Sequence, residues 1–94
     1  MAYTDAMEPL IALEQELRHR IARRLALENG EPVTASPGEA QLAAAAEAIE
    51  AWREDGDATQ DPRAFRPQTP LEILLAEHAE ICARISDLSD RRLS

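Results

Sequence analysis

Few side chains in this sequence have the types and spacing that chemistry requires. Glu16-Leu17-Arg18-His19 is a Glu-x-x-His, the spacing that carboxylate metal sites use on inward-facing helices. It occurs once, and His19 falls away from the apolar stripe of its helix, so a solvated i,i+3 pair is the expected role. His78 and Cys82 lie four apart and share a helix face. That is half a metal site or a thiolate–imidazole pair. With two His and one Cys in the chain, a His/Cys zinc site would need carboxylates as well. The reading taken is a core histidine bonded to a carboxylate or carbonyl, beside a cysteine acting as a small apolar residue. No metal and no cofactor is expected. One polar residue in an apolar seam can also fix register or oligomeric state.

Arg18, Arg20, Arg23 and Arg24 form a basic run that could receive a dicarboxylate or a phosphate. Glu14, Glu16 and Glu28 lie close enough in sequence to neutralise much of it, which makes a solvated face the simpler expectation. Glu31, Glu39, Glu47, Glu50, Glu54, Asp55 and Asp57 cluster in and around the second helix, with only Arg53 against them. Glu47, Glu50 and Glu54 share one face, expected to lie opposite the apolar seam: a solubilising surface or a docking face for a basic partner. Arg63, Phe65 and Arg66 sit between Pro62 and Pro67. Phe65 would plug the end of a bundle or anchor a partner.

The stretch LEQELRHRIARRLALE resembles the first helix of the helical chorismate mutases. That resemblance implies a small helical enzyme using the arginines of the first helix. The family's fold gathers cations from several helices around a dianion, whereas here the second helix offers only Arg53 and the chain has no Lys. A second resemblance, in architecture alone, is to oligomeric packaging or assembly subunits of phage-like systems, whose cores are helical hairpins.

The elements that must position these residues are marked by a repeated phrase. Ser36-Pro37-Gly38-Glu39 and Thr69-Pro70-Leu71-Glu72 each read as a helix start, with a hydroxyl N-cap, Pro at the first helical position and Glu behind it. Asp5-Ala6-Met7-Glu8-Pro9 is a looser version. Asn29-Gly30 and Asp55-Gly56 read as stops. The expectation is an all-α, three-helix antiparallel bundle with helices over about 7–28, 37–54 and 70–91. Residues 1–6 form a flexible N-terminus and 56–69 a loop longer than usual between bundle helices.

The third helix carries Leu71, Leu74, His78, Ile81, Ile85 and Leu88 at alternating spacings of three and four, a coiled-coil seam that Leu75 and Cys82 widen. The second carries Leu42, Ala45, Ile49 and Trp52 among alanines, which allows close approach. The first carries Leu10, Leu13, Leu17, Ile21 and Leu25, drifting towards a four-residue spacing that makes it cross its neighbours.

At 94 residues the chain is one small domain with a thin core. Its composition is 45% hydrophobic but only 3% aromatic, so the core must be aliphatic. The formal net charge of −8 argues against direct nucleic-acid binding and against anionic membranes, and favours a basic partner. Cys82 is the only cysteine, so no intrachain disulfide forms and a cytoplasmic location is expected. No stretch reads as a signal peptide or a membrane span. The reading is a non-enzymatic protein-interaction or assembly module. It is expected to self-associate through a seam of Leu71, Leu74, Leu75, His78, Ile81, Cys82, Ile85 and Leu88, and to bind a protein partner through Glu47, Glu50, Glu54, Arg63, Phe65 and Arg66.

Overall fold

A computed structural model describes residues 2–34, 36–58 and 66–93, with side chains from Met7 to Asp90 within those ranges. The described chain is three helices with no strand: α1 (Ala2–Glu28), α2 (Glu39–Ala58) and α3 (Pro70–Leu93). Arg63 and Phe65 lie outside the described residues.

The helix starts follow the expected logic at one site and depart from it at two. Before α3, Thr69 is the N-cap: its Oγ1 accepts the Glu72 N–H at 3.1 Å, and its carbonyl accepts the Ile73 N–H at 2.9 Å. Glu72 reaches back to the Gln68 N–H at 2.8 Å, so a second orphan donor is satisfied by a near relative of the capping box. Before α2, the cap is Gly38 and not Ser36. The Leu42 N–H bonds to the Gly38 carbonyl at 2.9 Å, and Gln41 Oε1 accepts the Gly38 N–H at 3.3 Å. Gln41 therefore takes the part that Glu39 was expected to play, and Pro37 is buried ahead of the helix rather than opening it. α1 begins at Ala2, well before the expected Met7, so the expected flexible terminus is helical from that residue on. Pro9 lies inside α1; it forfeits only its own bond to the Asp5 carbonyl, and the turns on either side persist.

The stops differ in the same instructive way. α1 ends in a Schellman motif: Gly30 has φ +73°, its N–H bonds to the Leu27 carbonyl at 3.2 Å, and the Glu31 N–H bonds to the Ala26 carbonyl at 2.8 Å. Gly56 forms no such cap. Among the described glycines only Gly30 has a left-handed φ, and α2 runs through Gly56 to Ala58.

α1 is the central helix. Leu74 of α3 lies among Arg20, Arg23, Arg24 and Leu27 of α1, while His78 meets Glu14, so α3 runs antiparallel to α1. Ala40, Gln41 and Ala44 of α2 lie beside Ala22, Leu25, Ala26 and Asn29, and Ala45 joins Ile21 and Ala22, so α2 also runs back along α1. α2 and α3 therefore point the same way. This accounts for the long connection between them. The 20 residues of α2 measure ~30 Å, and a segment of the length of 59–69 can reach ~35 Å back to the start of α3.

The core is aliphatic and narrow: Leu17, Ile21, Ala22, Ala26, Ala45, Leu75 and Ile81 are buried. Leu25, Leu42, Ile49, Trp52, Leu71 and Leu74 pack around it, half-buried. Ala22 and Ala45 are both fully buried in one cluster, which shows what the alanines achieve: two helix backbones close together. α2 and α3 meet little beyond this point. The Cα envelope is 46 × 35 × 17 Å, a flattened arrangement with α1 between its two neighbours.

Candidate functional site

Two features stand out where the helices meet: a polar cluster inside the α1–α3 contact and an open groove between α2 and α3.

The polar cluster is built around His78, which is 3% exposed. Its Nε2 lies 2.8 Å from Glu14 Oε2. The same carboxylate oxygen accepts from Arg18 at 2.6 Å, one helical turn further along α1. Burial pushes the Glu14 carboxyl up, but the hydrogen bonds from His78 and Arg18, together with their charges, outweigh it and leave the group below the ordinary glutamate range. Glu14 is thus an acceptor-only carboxylate at neutral pH, so Nε2 is the nitrogen that carries the proton. The expected core histidine bonded to a carboxylate is what the structure contains.

Cys82 Sγ lies 3.6 Å from Nδ1 and 3.9 Å from Nε2 of His78. These two nitrogens flank one ring carbon, and a sulfur in line with either would be much farther from the other. The thiol therefore rests against the ring instead of pointing along a nitrogen lone pair. Burial, and then the Glu14 charge, push the Cys82 thiol up, with Arg18 opposing only in part. A nucleophilic cysteine needs the opposite shift. Among the described residues, no group of three or more His, Cys, Asp and Glu side chains is arranged to hold a metal ion.

The four arginines of the run are paired with three glutamates of α1. Arg18 pairs with Glu14, Arg20 with Glu16 at 3.2 Å, Arg23 with Glu16 at 3.8 Å and Arg24 with Glu28 at 2.7 Å. Glu16 is thus engaged by arginines, which leaves the Glu-x-x-His spacing without a shared ligand role.

The groove has a volume of about 440 Å³. Ile49, Glu50, Trp52 and Arg53 form its α2 wall; Leu75, His78, Ala79, Cys82, Ala83 and Ser86 form its α3 wall. It exists because α2 and α3 leave their shared cluster at Ala45 and Leu75 without closing on each other. Its surface is mainly apolar, with Glu50 and Arg53 joined at 2.6 Å on the α2 edge. Glu50 therefore borders an apolar surface, not the far side of the helix from the seam. Glu47 and Glu54 are exposed acids of the same helix and are not among the residues that line the groove.

The seam of α3 divides among these features. Leu75, His78 and Ile81 are buried; Leu71, Leu74, Ile85 and Leu88 are half-buried; Cys82 is exposed in the groove wall. Arg66 is exposed, ahead of α3, and its carbonyl accepts from Gln68 Nε2 at 3.4 Å. Glu14 is the residue that reading by spacing missed as a partner for His78. Its position held the signal: it stands between Leu10 and Leu17, an acid at a stripe position of α1.

No family model, no curated protein and no solved structure matches this chain. Among the described residues no helix is long and apolar enough to cross a membrane.

Proposed function

We propose that this protein is a non-enzymatic interaction or assembly module of the cytoplasm, and that the α2–α3 groove receives a segment of another protein carrying positive charge. The observation that supports this reading is the groove itself: an apolar channel lined by Trp52, the only tryptophan of the chain, with Glu50 and its partner Arg53 on the α2 wall. A helix lying between α2 and α3 would cover Ile49, Trp52, Leu75 and the alanines of α3, and a basic side chain on its flank would meet Glu50. The net charge of −8 favours the same class of partner over nucleic acid or an anionic membrane.

The mutase-like reading has less support. It asks Arg18, Arg20, Arg23 and Arg24 to converge with cations of other helices on a dianion. Each of them instead lies beside a glutamate of its own helix.

Trp52 makes the proposal measurable, because its fluorescence reports on the groove directly. The probe is a helix-forming peptide with Leu at alternating three- and four-residue spacings, flanked by Arg. It should blue-shift the Trp52 emission saturably, and the Ala83→Glu variant, which places an acid in the exposed groove wall, should lose the response. An unchanged emission on titrating the wild-type chain to millimolar peptide overturns the reading.

A further inference from the structure

His78 belongs to both features of the site at once. Its ring lines the groove beside Leu75, Ala79 and Cys82 of α3, although the residue is buried. Its Nε2 is bonded at 2.8 Å to Glu14 of α1, a residue that does not line the groove. The other polar residues of the groove wall, Glu50, Arg53, Cys82 and Ser86, are all exposed. The polar cluster and the groove therefore share one side chain, and it is the buried one.

That sharing has a mechanical consequence. A histidine ring turns easily about its last torsion, whose preferences are broad and roughly two-fold. A hydrogen bond to a fixed carboxylate removes the freedom and sets the tautomer. Glu14 is itself fixed, because Arg18 donates to the same oxygen at 2.6 Å. The Nε2–H is thereby engaged on the α1 side, outside the groove. Without Glu14 that donor is left buried and unpaired, which is costly. The open space that His78 borders is the groove. A released ring would turn towards it and put a donor into a wall otherwise made of Ile49, Trp52, Leu75 and alanines.

We infer that Glu14 is a positioning residue of the groove: through its bond to His78 it holds the α3 wall in the shape and polarity that an apolar segment needs, so docking between α2 and α3 is controlled from α1. The control rests on the groove being a docking site, and it names a residue outside the groove that sets the affinity there. Arg18 belongs to the same device, because it holds the carboxylate.

Two measurements test it. In isotope-labelled protein at mildly alkaline pH, the imidazole nitrogens of His78 should report one tautomer, with the proton on Nε2, in wild type and in Glu14→Gln. Glu14→Ala should average between tautomers. In titrations of the Arg-flanked peptide followed at Trp52, Glu14→Ala should bind about tenfold more weakly than wild type, and Glu14→Gln should restore most of the affinity. Thr69→Ala, which loosens the start of α3 away from the groove, should bind as wild type does. Should Glu14→Ala not fold, Arg18→Met, at an exposed position, frees the carboxylate and should weaken the peptide several-fold. Averaged tautomers in wild type, an unchanged affinity in Glu14→Ala (or in Arg18→Met in its place), or a loss in Thr69→Ala as large as that in Glu14→Ala overturns the inference. The two failures are distinct. A wild-type chain that does not respond to the peptide removes the groove as a docking site and the control with it. A wild-type response that Glu14→Ala leaves intact removes the control alone.

Discussion

His78 Nε2 and Glu14 Oε2 stand 2.8 Å apart and join α3 to α1 across 64 residues of sequence. The pair lies where Leu17 and Ile81 are also buried, so it is the polar fastening of an otherwise aliphatic contact. Removing one partner strands the other. Glu14→Ala leaves the His78 N–H without its acceptor in a buried position, and the expected loss is about 1–3 kcal/mol in chemical denaturation. Glu14→Gln keeps an acceptor and should cost less. Equal stability of Glu14→Ala and wild type would show that the bond is not formed in solution.

The same pair sets a pH dependence. The folded Glu14 carboxyl is held below its ordinary value, ~4.3 in unfolded chains. The native state therefore binds fewer protons there than the unfolded state, and the stabilisation is fully present above that unfolded value. It is lost as pH falls through the lower folded value. Melting temperature should drop on acidification below about pH 4.5, and the Glu14→Gln variant should show a shallower drop in the same window. Identical pH profiles for the two proteins would place the acid sensitivity elsewhere.

The caps make a paired prediction. Thr69→Ala removes the acceptor for the Glu72 N–H and should cost about 1 kcal/mol. Ser36→Ala should be close to neutral, because Gly38 and Gln41 form the start of α2. Gln41→Ala should cost more than Ser36→Ala, since Gln41 also donates to the Pro32 carbonyl at 3.3 Å. Urea midpoints of the three variants decide it; a Ser36→Ala loss as large as that of Thr69→Ala would return the cap to Ser36.

These caps show how much was legible in the sequence. Three helices, their order and most of their faces follow from periodicity and turn residues, because those signals act within a few residues. Thr69 was readable for that reason. Ser36 was misread because Ser-Pro and Gly-x-x-Gln offer overlapping starts, and spacing cannot choose between a hydroxyl cap and a backbone cap. Gly56 was misread as a stop because a glycine signals a left-handed turn only if the chain adopts one, and α2 continues instead. Pairing across helices was the least legible. His78 was readable as a core residue needing a carboxylate, but that the carboxylate is Glu14 depends on the register of α3 against α1. The groove was out of reach for the same reason: it is the space left when α2 and α3 run in one direction from a shared cluster.

Ala45 carries a prediction about that cluster. It is fully buried in one cluster with Ile21 and Ala22, between α2 and α1. Ala45→Leu adds three carbons to a space that has none to spare. The added side chain would have to force the helices apart, with an expected loss of about 1–3 kcal/mol. Ala43→Leu, at an exposed position of the same helix, should be within about 0.5 kcal/mol of wild type. Thermal denaturation of the two variants checks this, and a tolerated Ala45→Leu would mean that α1 and α2 are not packed on their alanines.

Cys82 offers a test of the polar cluster from its other side. The thiol is exposed in the groove wall, so reagents can reach it. Its thiolate is nevertheless disfavoured, first by burial and then by the Glu14 charge, with Arg18 compensating only in part. Exposure and reactivity should therefore separate. At neutral pH, Cys82 should react with a disulfide reagent more slowly than glutathione does, since the thiolate is the reacting species. Glu14→Gln removes the negative charge that raises the thiol and should speed the reaction, though burial keeps it slower than the free thiol. Reaction at least as fast as glutathione in the wild-type chain would contradict the direction of the shift. An unchanged rate in Glu14→Gln would show that the carboxylate does not act on the sulfur through the His78 cluster.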